Sequence, residues 1–168
     1  RHEIDDLHSK SIGDFERHYH AILYSFGAEA DRELGIPGED LPGSYAATSF
    51  VGWYNAHPDY RDLAVNLDVD DVVVVGNGNV AVDVARILAS DVAALARTDI
   101  ADHALATLGT SRVRTITMLG RRGPAQAAFT PKEIRELGEL PGVTLVVDPA
   151  DLAAAGDVTG DEHAERVM

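Results

Sequence analysis

A run of four valines followed at once by two glycines constrains this chain more than any other feature. Residues 72–75 show no polar alternation, which predicts a strand buried on both faces, as in a parallel sheet covered by helices. Gly76 permits a sharp turn out of that strand, and Gly78 lets the backbone approach a pyrophosphate closely. Ala81 takes the third small position, and apolar residues follow at helical spacing. The pattern predicts a dinucleotide site at the start of a helix, whose free amides and positive dipole end face the pyrophosphate.

The residues after the next predicted strand indicate which nucleotide would bind. Residues 112–119 are rich in β-branched side chains and predict a strand. Residues just beyond this strand lie beside the adenosine ribose, where an acid would hold a free 2′-hydroxyl. Here Gly120 precedes Arg121 and Arg122, and guanidinium groups form charge-assisted, two-pronged hydrogen bonds with phosphate. The sequence favours NADP over NAD, the alternative being that both arginines are ordinary solvated charges.

The stretch between the two motifs is about twice as long as a minimal crossover requires. We therefore expect residues 90–111 to be an insertion. Thr98 and Asp99 are the predicted N-cap of a second helix, which would run to about Leu108.

Composition limits the class of protein. The chain has 168 residues, 45% apolar content, a formal charge of −14 and a pI near 4.7, which indicate a globular domain without affinity for nucleic acid or anionic membrane. It has no cysteine, which excludes thiolate zinc and iron-sulfur ligation within these residues and fits a reducing compartment. The scattered histidines have no ligand spacing, so no metal site is predicted. Without a long apolar run or a leader, we expect a cytoplasmic location and no membrane insertion.

The order of predicted elements indicates the fold class. A polar opening leads to a strand at residues 20–25, a turn-rich connector at residues 33–43 and an aromatic segment at residues 50–57 that stops at Pro58. Strand, helix, inserted helix, strand, helix and a last strand at 143–147 follow. This alternation predicts an α/β, Rossmann-like three-layer fold with a parallel sheet. Three strands beyond residue 70 are fewer than the six of a complete doubly wound fold, so the NADP-binding domain is expected to be incomplete.

With these motifs established, the sequence closely resembles the adrenodoxin-reductase type of ferredoxin-NADP reductase, an FAD-dependent flavoprotein family. The resemblance runs from about residue 19 to residue 152, with matching segments in one order. These are IPGEDLPG (36–43), FVGWYN (50–55), GNVAVDVARIL (78–88), RTDI (97–100), GRRGP (120–124), QAAFT (126–130), KEIREL (132–137) and DPAD (148–151).

The resemblance implies a two-domain oxidoreductase with FAD on one domain and NADPH on the other. Residues 1–42 would be the remnant of the FAD-binding domain, namely its last strand and a linker, and residues 43–168 the first half of the NADP-binding domain. The parent enzyme would take hydride from NADPH onto FAD and pass electrons to a ferredoxin-like iron-sulfur protein. FAD would be held mostly by parts absent from this chain, which alone is expected to be inactive.

The resemblance also implies roles for individual residues, and none of them is a catalytic acid or base. Glu133 would lie near the nicotinamide, although physics alone favours a helix-surface acid after Pro131. Arg135 would meet the acidic ferredoxin. The remaining cofactor-binding residues are Asn77, Gly78, Asn79 and Val80 at the pyrophosphate, and Arg121 and Arg122 at the 2′-phosphate.

Two further groups of residues are expected to be structural. The aromatic cluster of Phe50, Trp53 and Tyr54 predicts core packing rather than a flavin contact. Asp83 and Arg86 lie three apart on one helix face and predict a local ion pair.

Two other functions are compatible with the motifs. The chain could be a noncatalytic nucleotide-binding module, or the NADPH-binding part of a glutamate-synthase-type flavoprotein subunit, against which residues 50–55 and 126–137 speak. A reductase also needs positive surface for an acidic ferredoxin. That surface would lie in portions outside this chain or around its clustered arginines, which are Arg112, Arg114, Arg121, Arg122 and Arg135.

Overall fold

The computed structural model describes residues 12–23, 32–121, 123 and 126–154. The chain divides into two compact units, residues 1–30 and residues 31–168. In the first unit, helix α1 covers Ile12–His18. Residues 20–23 form no strand, and Leu23 is 90% exposed. The strand predicted at 20–25 is therefore wrong in its described part, because neither of the two described strands pairs with these residues. Residues 24–28 lie outside the described residues.

The second unit places two parallel strands among helices, which confirms the α/β class. Strand β1 pairs with β2 so that Asp71 lies opposite Thr115 and Val75 opposite Leu119. The Gly76 amide extends the ladder by donating to the Leu119 carbonyl at 2.9 Å. In chain order the elements are α2 (Ala47–Tyr54), β1 (Asp71–Val75), α3 (Asn79–Ala89), α4 (Val92–Leu95), α5 (Asp102–Gly109), β2 (Thr115–Leu119), α6 (Pro131–Gly138) and α7 (Pro149–Ala154).

Helix α3 joins two apolar clusters of the core. Towards α2 and α5, Phe50 and Trp53 are almost fully buried, with ring centroids 5.4 Å apart, and Tyr54 meets Phe50 edge-on. This confirms the prediction that the aromatic segment packs in the core. Towards β2 and α6, Val82 is fully buried and contacts Leu137 in the second cluster. Helix α3 is therefore held on both sides by apolar contacts.

The sheet is covered on one face by the described residues. Val74 of β1 belongs to the periphery of the core, whereas Val73, Val75 and Leu119 are 59%, 53% and 55% exposed. The expectation that residues 72–75 are buried on both faces is not met within the described part of the chain. The reason is topological: the helices that pack against the sheet contact the face carrying Val74 and Met118.

The insertion contains two helices, and its predicted cap is wrong. Helix α4 begins after Asp91, whose carboxylate accepts the Ala94 amide at 3.0 Å. Helix α5 begins at Asp102 with Ala101 as its N-cap, three residues beyond Thr98. The Thr98 hydroxyl instead donates to the Leu95 carbonyl at 2.7 Å, so it closes the end of α4. The end of α5 at Gly109 agrees with the predicted end near Leu108.

The third predicted strand is also wrong. Residues 143–147 have no regular secondary structure, and Val146 is 81% exposed. An extended apolar segment becomes a strand only when a neighbour satisfies its backbone groups, and β2 pairs with β1 but not with this segment in the described structure. Among the described residues, none of the helices has the length and hydropathy needed to span a bilayer, and no acidic or histidine cluster is arranged to hold a metal ion.

Candidate nucleotide-binding site

The glycine-rich loop leaves β1 through a conformation that favours glycine. Gly76 has φ +141°, a region that L side chains rarely adopt. A Cβ atom added at Gly76 would lie 3.6 Å from the Ala81 side chain, which is ordinary contact. Backbone conformation rather than lack of space therefore favours glycine at this turn. Gly78 then adopts an extended conformation as the N-cap of α3.

The start of helix α3 has no side-chain cap. Gly78 has no side chain to accept from the first turn, and the Val82 amide makes the first intrahelical bond, to the Gly78 carbonyl at 3.1 Å. The amides of residues 79–81 precede that bond and have no intrahelical acceptor. Val80 in this turn is 53% exposed. These amides and the positive end of the helix dipole form an anion-binding arrangement, as the sequence predicts.

The end of β2 packs directly against this loop. A Cβ atom at Gly120 would overlap the side-chain amide of Asn77, so a side chain at this position would displace Asn77. The Asn77 side chain therefore lies against Gly120, the residue that follows β2. Arg121 is the next residue in the chain. Arg121 is exposed and forms no ion pair or side-chain hydrogen bond with the described residues. Arg122 lies outside the described residues.

A segment after β2 runs alongside the glycine loop, which the sequence patterns did not predict. Gly78 and Ala128 form a parallel bridge, and the Ala128 amide donates to the Asn77 carbonyl at 2.7 Å. The Thr130 amide donates to the side-chain oxygen of Asn79 at 2.9 Å. The matching segment QAAFT (126–130) of the family resemblance covers these residues. Nothing in its composition indicates that it pairs with the glycine loop.

Glu133 follows the segment 126–130, which pairs with the glycine loop. Thr130 is the N-cap of α6, Pro131 occupies the first turn, and Glu133 follows within that turn. The Glu133 Oε2 atom is buried and has no hydrogen-bond partner in the described structure. Glu133 thus lies in the first turn after Pro131, as simple helix physics predicts, but it is only partly exposed, and Oε2 is its shielded oxygen. A shielded carboxylate oxygen without a donor among the described residues is unfavourable, so Oε2 is able to accept a further hydrogen bond.

The other arginines do not all contribute positive surface. Arg112 lies before β2, at the amino ends of both strands, and its guanidinium contacts Asp68 at 3.1 Å and Asp70 at 3.4 Å. Its charge is therefore locally compensated, at the opposite end of the sheet from Gly76. Arg135 on α6 is exposed. Of the arginines proposed for partner docking, Arg112 is thus the least suited.

The predicted ion pair on α3 is confirmed. The Arg86 guanidinium contacts the Asp83 carboxylate at 2.8 Å. Burial raises the pKa of the nearby Tyr54 hydroxyl, Asp83 raises it further and Arg86 opposes the change. The pair lies on the side of α3 that faces α2, so it supports helix packing rather than the nucleotide loop.

Comparisons with known proteins identify relatives of this chain. No protein-family model matches the chain. The sequence is 55% identical over 155 residues to the NADPH-ferredoxin reductase FprA of Mycobacterium tuberculosis, covering 92% of this chain and 33% of that protein. It is 49% identical over 156 residues to the mitochondrial NADPH:adrenodoxin oxidoreductase of Mus musculus, covering 93% of this chain and 32% of that protein. The chain is a homologue of these reductases.

A solved structure extends the comparison to the fold. The structure of Mycobacterium tuberculosis FprA in complex with NADPH matches with a TM-score of 0.77 at 55% identity, over 85% of this chain and 32% of that chain. The family resemblance and the Rossmann-like fold are therefore confirmed. The chain spans about one third of the length of the reductases that it matches.

The structure brings most of the predicted site residues together. Asn77, Gly78 and Asn79 form the loop at the carboxyl ends of the strands, with Val80 in the next turn and Arg121 beside Gly120. Parallel strands direct their carboxyl ends to one edge of the sheet, where open α/β folds bind ligands.

Proposed function

We propose that this chain is the NADP(H)-binding part of a flavoprotein ferredoxin-NADP reductase. The parent enzyme takes hydride from NADPH onto FAD and passes electrons to a ferredoxin-like iron-sulfur protein. The observation that carries the proposal is the uncapped start of α3 beside the unpaired Arg121, at the carboxyl ends of two adjacent parallel strands. The homology with reductases of this activity supports it.

Three groups of NADPH, the pyrophosphate, the 2′-phosphate and the nicotinamide carboxamide, have complementary residues in this chain. The free amides after Gly78 suit the pyrophosphate, because they donate hydrogen bonds and lie at the positive end of the helix. Arg121 and Arg122 suit the 2′-phosphate, since guanidinium groups bind phosphate oxygens in pairs. The unpartnered Oε2 of Glu133 suits an amide donor such as the nicotinamide carboxamide.

The chain contributes orientation rather than acid or base chemistry. FAD, when bound by the rest of the parent enzyme, supplies the acceptor for hydride. The residues of this chain bind the phosphates and the nicotinamide carboxamide. This binding limits the positions that the reacting carbon of the nicotinamide can take. No side chain of this chain has to move a proton during the transfer.

The ferredoxin partner and the cellular compartment belong to the same proposal. The chain carries a net charge of −14, so an acidic ferredoxin needs a local positive surface, for which exposed Arg135 is available. A cytoplasmic location agrees with the cysteine-free composition. The mitochondrial designation of the mouse relative means that homology alone does not determine the compartment.

Replacing Arg121 tests the nucleotide assignment. In the parent reductase, we expect Arg121→Ala to weaken NADPH binding by roughly ten- to a hundredfold, as for the loss of a charged hydrogen bond, and NADH binding by less than about twofold. Calorimetric titration with both nucleotides measures the difference. Arg112→Ala is the matched control, because that guanidinium lies at the other end of the sheet between two acids. Equal losses for NADPH and NADH would remove the 2′-phosphate from the proposal.

A further inference from the structure

The side chain of Asn79 connects the starts of two helices. Asn79 is the first residue of α3, and its Oδ1 atom accepts the backbone amide of Thr130 at 2.9 Å. Thr130 is the N-cap of α6, and its own side chain makes no capping hydrogen bond. We propose that Asn79 is a positioning residue, whose side chain fixes the starting point of α6 and so sets where Glu133 lies relative to the phosphate loop. This inference rests on the proposed function.

Helix formation does not explain an asparagine at this position. Asparagine is a poorer helix former than alanine, and Gly78 rather than Asn79 is the N-cap of α3. The backbone amide of Asn79 precedes the first intrahelical bond of α3, so the helix itself gives it no acceptor. The side chain is directed elsewhere, to a residue 51 positions further along the chain. The backbone and side chain of one residue therefore serve two different purposes.

The Asn79 contact completes a short strip that attaches the segment after β2 to the loop. The parallel bridge between Gly78 and Ala128 holds its middle, and the bond from the Ala128 amide to the Asn77 carbonyl at 2.7 Å is part of that bridge. The bridge does not reach the N-cap of α6. The bond to Asn79 does, two residues later. It therefore determines whether Thr130 follows the loop or moves independently of it.

Motion of Thr130 is transmitted directly to Glu133. The two residues lie within one turn of α6, and a helical turn behaves as a rigid unit because its backbone bonds form together. Leu137 anchors the far part of α6 against Val82 and Ala85 of α3, and Phe129 and Ile134 pack against the same cluster. These apolar contacts keep α6 docked, whereas the Asn79 bond is the polar contact that fixes the backbone position of Thr130 and so of the turn that carries Glu133.

The proposal separates affinity from reaction rate. Asn79→Ala keeps the backbone amide that faces the pyrophosphate and removes only the oxygen that holds Thr130. We expect NADPH affinity to change by less than about threefold, whereas the rate of FAD reduction at saturating NADPH falls roughly three- to tenfold, in line with the loss of one hydrogen bond. A side chain that contacted the nucleotide directly would show the reverse division.

The test uses the parent reductase with FAD bound. Hydrogen exchange of the Thr130 amide is measured without nucleotide, and rapid-mixing absorbance follows FAD reduction over a range of NADPH concentrations. Asn79→Ala should accelerate Thr130 exchange about threefold or more, and Asn79→Asp, which retains an oxygen acceptor, should restore protection. Asn66→Ala is the matched control, because Asn66 Oδ1 also accepts a backbone amide at 2.9 Å, from Asp68 at the other end of β1. It should change neither readout.

Two outcomes would overturn the inference. One is a Thr130 exchange rate in Asn79→Ala equal to that of the unsubstituted enzyme. The other is a loss confined to NADPH affinity with the saturated rate unchanged. Failure of the unsubstituted enzyme to bind NADPH would instead contradict the proposed function, and the exchange measurement, made without nucleotide, would still decide whether Asn79 positions α6.

Discussion

At the scale of the residue, one carboxylate closes the connector before α2. Glu39 accepts the backbone amide of Leu34 at 2.6 Å and that of Gly35 at 2.7 Å. The Leu34 amide contributes most to holding the pKa of Glu39 below its ordinary value. The ionised carboxylate is the form that accepts both bonds. The closed turn is therefore fully present above the ordinary pKa of a glutamate and is lost as pH falls through the lowered pKa.

This linkage predicts an acid-dependent opening of the connector. A pH range from about 6 to about 3 covers the titration of a glutamate. As the pH falls through this range, the amide resonances of Leu34 and Gly35 should shift together and lose exchange protection. Glu39→Gln should remove the pH dependence, since a glutamine does not titrate. Glu33→Gln, at an exposed neighbour, should leave it unchanged. A transition that persists in Glu39→Gln would assign the titration to another group.

At the scale of the element, helix α2 ends in a strained residue. The His57 amide bonds to the Gly52 carbonyl at 2.8 Å and the Ala56 amide to the Trp53 carbonyl at 3.2 Å, the pattern of a Schellman motif. Its left-handed position, where glycine is usual, holds Ala56 at φ +58°. An L-alanine in this conformation costs about 1–2 kcal/mol.

Ala56→Gly should therefore stabilise the chain. Relief of the strain exceeds the extra entropy of glycine in the unfolded state, so we expect the free energy of unfolding to rise by about 0.5–1 kcal/mol. Urea denaturation measures this change. Ala96→Gly is the control, because Ala96 is also exposed at a helix end but has ordinary right-handed angles. It should be neutral or destabilising, and a loss of stability in Ala56→Gly would refute the argument.

At the scale of the whole molecule, the valine strand presents one apolar face that the described part of the chain leaves uncovered. Val73 and Val75 are exposed on that face, whereas Val74 contacts the core on the other. Strands of this composition are ordinarily buried on both sides in parallel sheets. The chain spans about one third of the length of its relatives, and we expect the remaining parts of the proposed parent reductase to cover this face.

Threonine substitutions distinguish the two faces. Val73→Thr should change the stability of the isolated chain by less than about 0.5 kcal/mol, because the side chain is exposed there. In the parent reductase it should cost about 1–3 kcal/mol, because a buried hydroxyl would lack a partner. Val74→Thr should be destabilising in both proteins. Thermal unfolding of the four samples measures the pattern, and an unchanged parent carrying Val73→Thr would indicate that the face stays open.

The sequence determined the features that depend on neighbouring residues along the chain. Residues 72–75 predict β1 through side-chain preference, Gly76 and Gly78 predict the turn and the start of α3 through backbone freedom, and Arg121 follows β2 as predicted. The many matching sequence segments also identified the chain as a relative of the reductases. None of these conclusions requires knowledge of which distant residues meet.

Tertiary structure decided everything that depends on contacts between distant residues. The bonds from Asn77 and Asn79 to residues 128 and 130, and the neutralisation of Arg112 by two acids, have no local signal. The absent strand at 143–147 and the one-sided cover of β1 follow the same rule, because a strand forms and is buried only where the fold supplies partners for its backbone and its faces. The shielding of the Glu133 Oε2 atom likewise has no signal in the sequence of its own helix turn.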